Sequence, residues 1–462
     1  MMVLAHDVDR DRVQARRRRA TVAWVVGICG AALMFDGYDL VVYGTVVSTL
    51  IRDPSQLGKI SPAQAGALGS YALIGVMVGA LIAGSVGDMV GRRRLMLMNL
   101  AWFSIGMAFT AMVPNPGLFG LGRFLTGIGI GALVATAGAI VAEFAPPGKK
   151  NLCNAIVYSG VPLGGVLASM LGLLLMQQIG WRGLFWIGAA PLVTLLPLAM
   201  FKLPESVAWL ASRGRMEDAR RWSERTGLPI PAQPTAADRT APKPARVGFA
   251  GLFRDYTVPT LLFGFISGSC LLLVYALGTW LPYLMRLRGF GPQSSLMFLL
   301  VLNAGAVLGA LGASRVADRF GPKPVVATSF LIGALTIADL TLKVPTIVLL
   351  IIVAIAGLGT SGTQVLIFGF VSNYYRTMVR AAGVAWAAGF GRLGGIGGPL
   401  IGGLLIGAGI AVQTNFYIFA GVALLGLVMT LLMPLVKEYR AQTAPHVPAQ
   451  ALSTPVRRPV TD

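Results

Sequence analysis

The chain has 462 residues, 55% of them hydrophobic and only 12% charged, against about 25% charged in a soluble domain. This excludes a soluble globular protein, and the apolar runs far exceed the ~10-residue strands of a membrane barrel, so the spans are expected to be helices. The net charge of +20 would suit a nucleic-acid binder, but no basic folded domain is present to carry it.

In chain order, residues 1–20 carry Arg10, Arg12 and Arg16 to Arg19 and are expected to form a mobile cytoplasmic tail. The first apolar run covers about 21–50, long enough to cross a bilayer, and holds Asp36 and Asp39. A carboxylate at that depth costs roughly 2.5 to 3.5 kcal/mol, so it should face protein or water. Three residues apart, the two share a helix face, where like charges in a low dielectric do not both ionise readily. That is the chemistry of a proton carrier. The bland alternative is a structural pair bonded to neighbouring helices.

Further spans are expected at about 64–87, 94–113, 117–145, 151–178 and 183–202. The polar stretch 203–257 reads as a cytoplasmic linker with one or two surface helices, basic and amphipathic around Arg213 to Arg225 and rich in Pro and Ala at 229–246. Six more spans follow near 258–286, 291–317, 324–342, 345–372, 381–408 and 411–436, and 437–462 is a Pro-rich polar tail expected to be disordered. The expected fold is all-α and integral to the membrane, with twelve transmembrane helices in two six-helix bundles, 21–202 and 258–436. Cys29, Cys153 and Cys270 fall in or beside spans, and no disulfide is expected. His6 and His446 lie in the polar tails, which removes a histidine relay and an enzyme needing an intramembrane histidine. No cleavable signal is evident.

Arginine and lysine sort by loop parity. The N-tail, Arg92 to Arg94, Lys149 and Lys150, the linker, Arg315, Arg319, Lys323, Arg376, Arg380 and the C-tail fall on one side, and this richer side should be cytoplasmic, with both termini. Two turns on that side share a marker. Gly84-Ser-Val-Gly-Asp88-Met-Val-Gly91-Arg92-Arg93 follows the second span, and Ser314-Arg-Val-Ala-Asp318-Arg319-Phe-Gly321-Pro-Lys323 follows the eighth. Such internal duplication is expected of secondary transporters. Asp88, Gly91, Arg92, Asp318 and Arg319 become candidate gating residues, because contacts between helix ends can lock one conformation and break in another. The arginines could equally serve topology alone.

The chain resembles the major facilitator superfamily over nearly its whole length. The first turn is similar to that superfamily's Gly-x-x-x-Asp-Arg-x-Gly-Arg-Arg signature, departing at Met89 and, in the second copy, at Ser314. Asp36-Gly-Tyr-Asp39, Arg123-Phe-x-x-Gly-x-Gly-x-Gly131, Glu143-Phe-Ala-Pro146, Pro204-Glu-Ser206, Tyr275-Ala-Leu-x-x-Trp280-Leu-Pro282 and Arg380-Ala-Ala-Gly383-Val-Ala-Trp386-Ala-Ala-Gly389-Phe-Gly-Arg392 resemble the aromatic acid:proton symporter family. Gly69-Ser-Tyr71-Ala-Leu and Gly362-Thr-Gln364 are similar to its benzoate-transporter branch. The resemblance implies a central site and import of benzoate- or hydroxybenzoate-type anions with protons. It also puts Glu143 in the gate or proton path, although Glu143 could be an exposed helix-end acid.

Arg123 and Arg392 are intramembrane guanidiniums, which need partners and bind carboxylates bidentately. Arg123 could hold a substrate carboxylate or a first-helix aspartate, or snorkel to an interface. Arg392 could bind an anion or act structurally. An aromatic ring needs apolar walls, for which Tyr71 and Trp386 are the preferred contacts, and Asn303 and Gln364 could bind a ring hydroxyl or bridge helices.

The expected function is proton-coupled uptake of small aromatic carboxylates across a bacterial inner membrane by alternating access, by a protein expected to be monomeric and to use no cofactor or metal. Anion entry into a negative-inside cell works against ~2.3 kcal/mol per charge per 100 mV, which one proton cancels. The rival on the same fold is drug/proton antiport, whose Gly-Pro-x-x-Gly-Gly signature is one residue short at Gly160-Val-Pro162-Leu-Gly164-Gly165 and complete only at Gly398-Pro399-Leu-Ile-Gly402-Gly403. A non-transporting sensor would be expected to carry a signalling domain, and a membrane enzyme a nucleophile–histidine pair or metal cluster; neither feature is evident.

Overall fold

The structure, a computed structural model, describes residues 2–146, 149–230 and 249–434. The tail 437–462 and the Pro/Ala-rich part of the linker, 231–248, lie outside the described residues. Among the described residues all regular structure is helical.

The first half comprises α1 (Met2–Arg52), α2 (Pro54–Leu57), α3 (Pro62–Val90), α4 (Arg92–Met112), α5 (Pro116–Phe144), α6 (Lys150–Tyr158), α7 (Gly160–Ala189) and α8 (Leu195–Lys202). The linker holds α9 (Val207–Ser212), α10 (Met216–Thr226) and α11 (Phe249–Asp255). The second half comprises α12 (Thr257–Leu287), α13 (Pro292–Phe320), α14 (Pro322–Asp339), α15 (Thr346–Gly357), a π-helical turn (Leu358–Gly362), α16 (Thr363–Tyr374), α17 (Thr377–Gly407) and α18 (Val412–Leu431).

Twelve membrane passes result. The apolar stretch Leu152–Lys202 has 51 residues, roughly 75 Å if straight and more than twice a ~30 Å hydrocarbon core. It is two passes, because Gly180 leaves helical geometry at φ +65. The π-turn joins α15 to α16 within a single pass.

Helix starts follow from local chemistry. Asn115 caps α5, its side-chain oxygen accepting from the Leu118 amide at 2.9 Å, and Pro116 occupies the first turn. The repeated turns match in the backbone. Asp88 and Asp318 are each the third-last residue of their helix, and the glycines that follow, Gly91 and Gly321, adopt φ +101 and +86. Those left-handed conformations suit glycine and let α3 and α13 reverse directly into α4 and α14.

Residues 2–20 differ from the expected mobile tail: they continue α1 as helix. This extension docks on the linker. Arg17 donates to the Glu224 carbonyl at 3.2 Å and Thr21 to the Thr226 carbonyl at 3.4 Å, capping the C-terminal end of α10.

Within the first bundle α3 pairs closely with α5 and α1 with α7; within the second, α12 pairs with α17 and α14 with α18. Three helix pairs join the bundles: α1 with α12, α3 with α17 and α7 with α13. Their contacts lie toward the end remote from the basic turns, here the far end. Gly44 of α1 meets the Gly278 carbonyl of α12 so closely that no side chain fits. Ser70 donates to the Ile396 carbonyl at 2.7 Å, and Gly66 packs on Pro399 and Gly403. Toward the basic end the same faces part. Leu81 on the α17-facing stripe of α3 is 74% exposed, and Ala385 and Gly389 on the α3-facing stripe of α17 are exposed. The bundles are closed at the far end, with a cleft open toward the basic end.

Candidate functional site

Asp36 lies midway between Thr21 and Arg52 on α1, and Arg392 at the midpoint of α17. They belong to different bundles and interact electrostatically at the head of the cleft. Asp36 is 4% exposed, and its Oδ1 is buried without a hydrogen-bond partner. Arg392 is half-buried and makes no hydrogen bond or ion pair with any described residue. A guanidinium is costly to leave unpaired at mid-membrane.

Asp39 faces the interior of the first bundle. It forms an ion pair with Arg123, Nη1 donating to Oδ1, and the two are 0% and 2% exposed. The guanidinium lies 5.4 Å from the Tyr43 ring and 5.9 Å from the Phe185 ring, in reach of cation–π attraction. Tyr43 and Tyr38 are themselves fixed, donating to the Ala65 carbonyl at 2.6 Å and the Leu184 carbonyl at 2.8 Å. Arg123 Nε and Asp39 Oδ2 remain buried without partners. In this state the pair is walled off, unlike Arg392.

The other candidates divide. Gln364 donates to Ser267 Oγ at 3.3 Å, leaving its Oε1 buried and unpartnered. The Ser267 hydroxyl in turn abuts Gly391, the residue before Arg392 in α17. Asn303 lies on the seam, donating to the Leu299 carbonyl at 2.9 Å and across to Ser169 Oγ of α7 at 3.4 Å.

The two preferred ring contacts are not brought there. Tyr71 lies against Leu68 and Gly120, on the side of α3 turned away from α17, and is 42% exposed. Trp386 donates to the Thr260 carbonyl at 2.7 Å and packs on Phe253 and Phe390. Six residues from Arg392, it points about 120° away around the helix.

Glu143 is also remote, 20 residues beyond Arg123 on α5 and so roughly 30 Å along the axis. It pairs with Arg92 at 3.2 Å. Beside it, Glu205 accepts from the Arg93 and Ser206 amides, both at 3.0 Å, and Arg93 donates to the Leu203 carbonyl at 2.8 Å. The first basic turn is thereby tied to the start of the linker. A side chain at Gly91 would press on Glu205 and Trp209. The side chain of Asp88 lies outside the described residues. In the second copy Asp318 and Arg319 are exposed, Arg319 lying 5.5 Å from the Phe320 ring.

Two residues not singled out for the site border it. Tyr158 and Tyr275 each interact electrostatically with both Asp36 and Arg392. Tyr275 stands in a motif noted above, about three turns from the far end of its helix. Tyr158 carries no sequence signal beyond being a tyrosine in an apolar span.

Two closed helical bundles around a mid-membrane charged cleft define a membrane transporter rather than an enzyme. The chain belongs to the Major Facilitator Superfamily, whose family model matches residues 29–315 and 302–461. It is 35% identical to the gentisate transporter of Corynebacterium glutamicum over 88% of this chain and 86% of that one. It is 32% identical to the benzoate transport protein of Acinetobacter baylyi over 92% of each. Among solved structures, the partially occluded inward-open xylose transporter XylE of E. coli matches with TM-score 0.68 at 18% identity, covering 90% of this chain and 100% of that one. That likeness bears on the fold alone.

Proposed function

We propose that the protein takes up small aromatic carboxylates, of benzoate or hydroxybenzoate type, together with protons. The observation that carries this reading is the partnerless Arg392 guanidinium facing Asp36 from the opposite bundle. The relatives named for gentisate and benzoate support the substrate class. A substrate carboxylate docks on Arg392, whose planar fork matches it bidentately. Once Arg392 is neutralised by substrate, Asp36 loses its compensating charge and takes up a proton. With substrate and proton both aboard, the site carries no net charge, as when empty, and can move between the two faces. Release reverses both events.

In this reading the basic end is cytoplasmic, with both termini, in a bacterial inner membrane. The open cleft is then the inward-facing state, and the protein works as a monomer. Arg123 and Asp39 form an ion pair inside the first bundle, and a substrate reaches it only if the walls of Tyr43 and Phe185 move. Arg92, Glu143, Asp88, Asp318 and Arg319 govern the conformational step at the cytoplasmic ends.

The test is uptake of a panel of labelled aromatic acids into proteoliposomes with an inside-alkaline gradient. Saturable accumulation that collapses with a protonophore is expected. Uptake driven equally well by sodium without a pH gradient would reject proton coupling.

A further inference from the structure

We propose that Tyr158 and Tyr275 read the ring of the transported acid, and that the ring they fit carries a hydroxyl group. The inference rests on the reading of Arg392 and Asp36 as the carboxylate and proton site.

The two tyrosines approach that site from opposite bundles. Tyr275 of α12 lies over Gly395 of α17, where an added Cβ would stand 3.0 Å from its ring. Gly395 is three residues from Arg392, so ring and guanidinium share a side of α17. Tyr158 ends α6 and is 41% exposed. Its hydroxyl passes over Gly138 to a long 3.5 Å contact with the Val134 carbonyl of α5. The chain continues into α7, which packs on α1 beside Asp36, Val161 lying against Gly37. Both phenols therefore flank the Asp36–Arg392 couple, and their faces supply the apolar walls an aromatic ring needs.

The polar capacity around the couple is underused. The Tyr275 hydroxyl bonds no described residue. The Tyr158 hydroxyl has one bond at the limit of useful length. Gln364 Oε1, one hydrogen-bonded step from the backbone beside Arg392, is buried without a donor. An unsubstituted ring would leave these groups unpaired once water is expelled, and unpaired polar groups are what penalise a ligand lacking a hydroxyl. A ring hydroxyl offers both a donor and an acceptor.

The experiment measures competitive binding of benzoate, 3-hydroxybenzoate, 4-hydroxybenzoate and 2,5-dihydroxybenzoate to the purified full-length protein, with Tyr158→Phe and Tyr275→Phe as variants. Each substitution is expected to weaken at least one hydroxylated acid about tenfold and leave benzoate unchanged. Benzoate binding is the internal check that the variants fold. Equal weakening of benzoate and the hydroxylated acids, or no change in any of them, overturns the inference. If the unsubstituted protein binds no aromatic acid, the reading of the carboxylate site fails, and with it the inference. That result is seen in the parent protein alone, separately from the variants.

Discussion

Arg392 and Asp36 act on each other electrostatically across the boundary between the two bundles, each midway along its membrane span and neither hydrogen-bonded to a described residue. The second charged couple, Arg123 and Asp39, differs in every respect: it lies within one bundle, is closed to solvent and is directly paired. The chain thus separates a guanidinium with no partner among the described residues from one held in a buried ion pair.

Arg392→Lys keeps the charge and loses the planar fork. Binding of an aromatic acid is expected to weaken about tenfold or more. Equilibrium binding to purified protein measures this, and affinity equal to the parent's would remove Arg392 from the carboxylate contact.

On the proposed mechanism, Asp36→Asn cannot take up or release the proton. Accumulation against a gradient should be lost while exchange of labelled for unlabelled acid persists, since a permanently neutral site can still bind and swap. Uptake and counterflow in the same liposomes separate the two, and continued accumulation would assign the proton elsewhere.

Breaking the enclosed pair should damage stability more than selectivity. Asp39→Ala leaves Arg123 buried and uncompensated, a loss of ~3–5 kcal/mol. Replacing both partners together, Asp39→Leu with Arg123→Met, should recover most of it, because buried pairs are often no better than apolar packing. Thermal unfolding in detergent reads both, and an unchanged midpoint for Asp39→Ala would contradict the buried pairing.

Glu143→Gln removes the charge that Arg92 holds at 3.2 Å. Slower exchange with unaltered substrate affinity is expected, because Glu143 lies at the end of α5 whereas Arg392 is at the midpoint of α17. An affinity loss as large as that of Arg392→Lys would place Glu143 at the central site instead.

Gly44→Leu cannot be accommodated while α1 touches the Gly278 carbonyl. It should prise the far end open and bias the protein toward the opposite state. The measurement is labelling of Leu400→Cys, on the α3-facing stripe of α17, by a membrane-impermeant maleimide in a background lacking the three native cysteines. Labelling should rise with Gly44→Leu, and no increase would show that this crossing does not close the far end.

Helix number and order were legible because hydrocarbon thickness fixes the length of an apolar run. The Asp39–Arg123 pairing was legible because two opposite charges stood at similar depth in one bundle, where each needs the other. The repeated turns were legible from spacing, and Gly91 and Gly321 share the positive φ that spacing implied. Facing was not legible. Helices that are apolar nearly all round give little sign of which side meets lipid and which meets the cleft, so nothing in the sequence turns Tyr71 and Trp386 away from the cleft or marks Tyr158 as near Asp36. The extent of α1 was missed for another reason: an arginine-rich segment reads as a solvated tail, and its docking on α10 depends on a contact more than 200 residues away in sequence.

The most direct test is proton movement driven by the acid itself. Proteoliposomes enclosing a pH-sensitive dye are given an inward gradient of an aromatic acid at a pH where it is fully ionised, with no imposed pH gradient. Internal acidification beyond that of protein-free vesicles is predicted for the parent protein and should be absent for Asp36→Asn, although that variant still exchanges label. Label entering through the parent without acidification, or equal acidification with Asp36→Asn, would contradict proton coupling at the Asp36–Arg392 site.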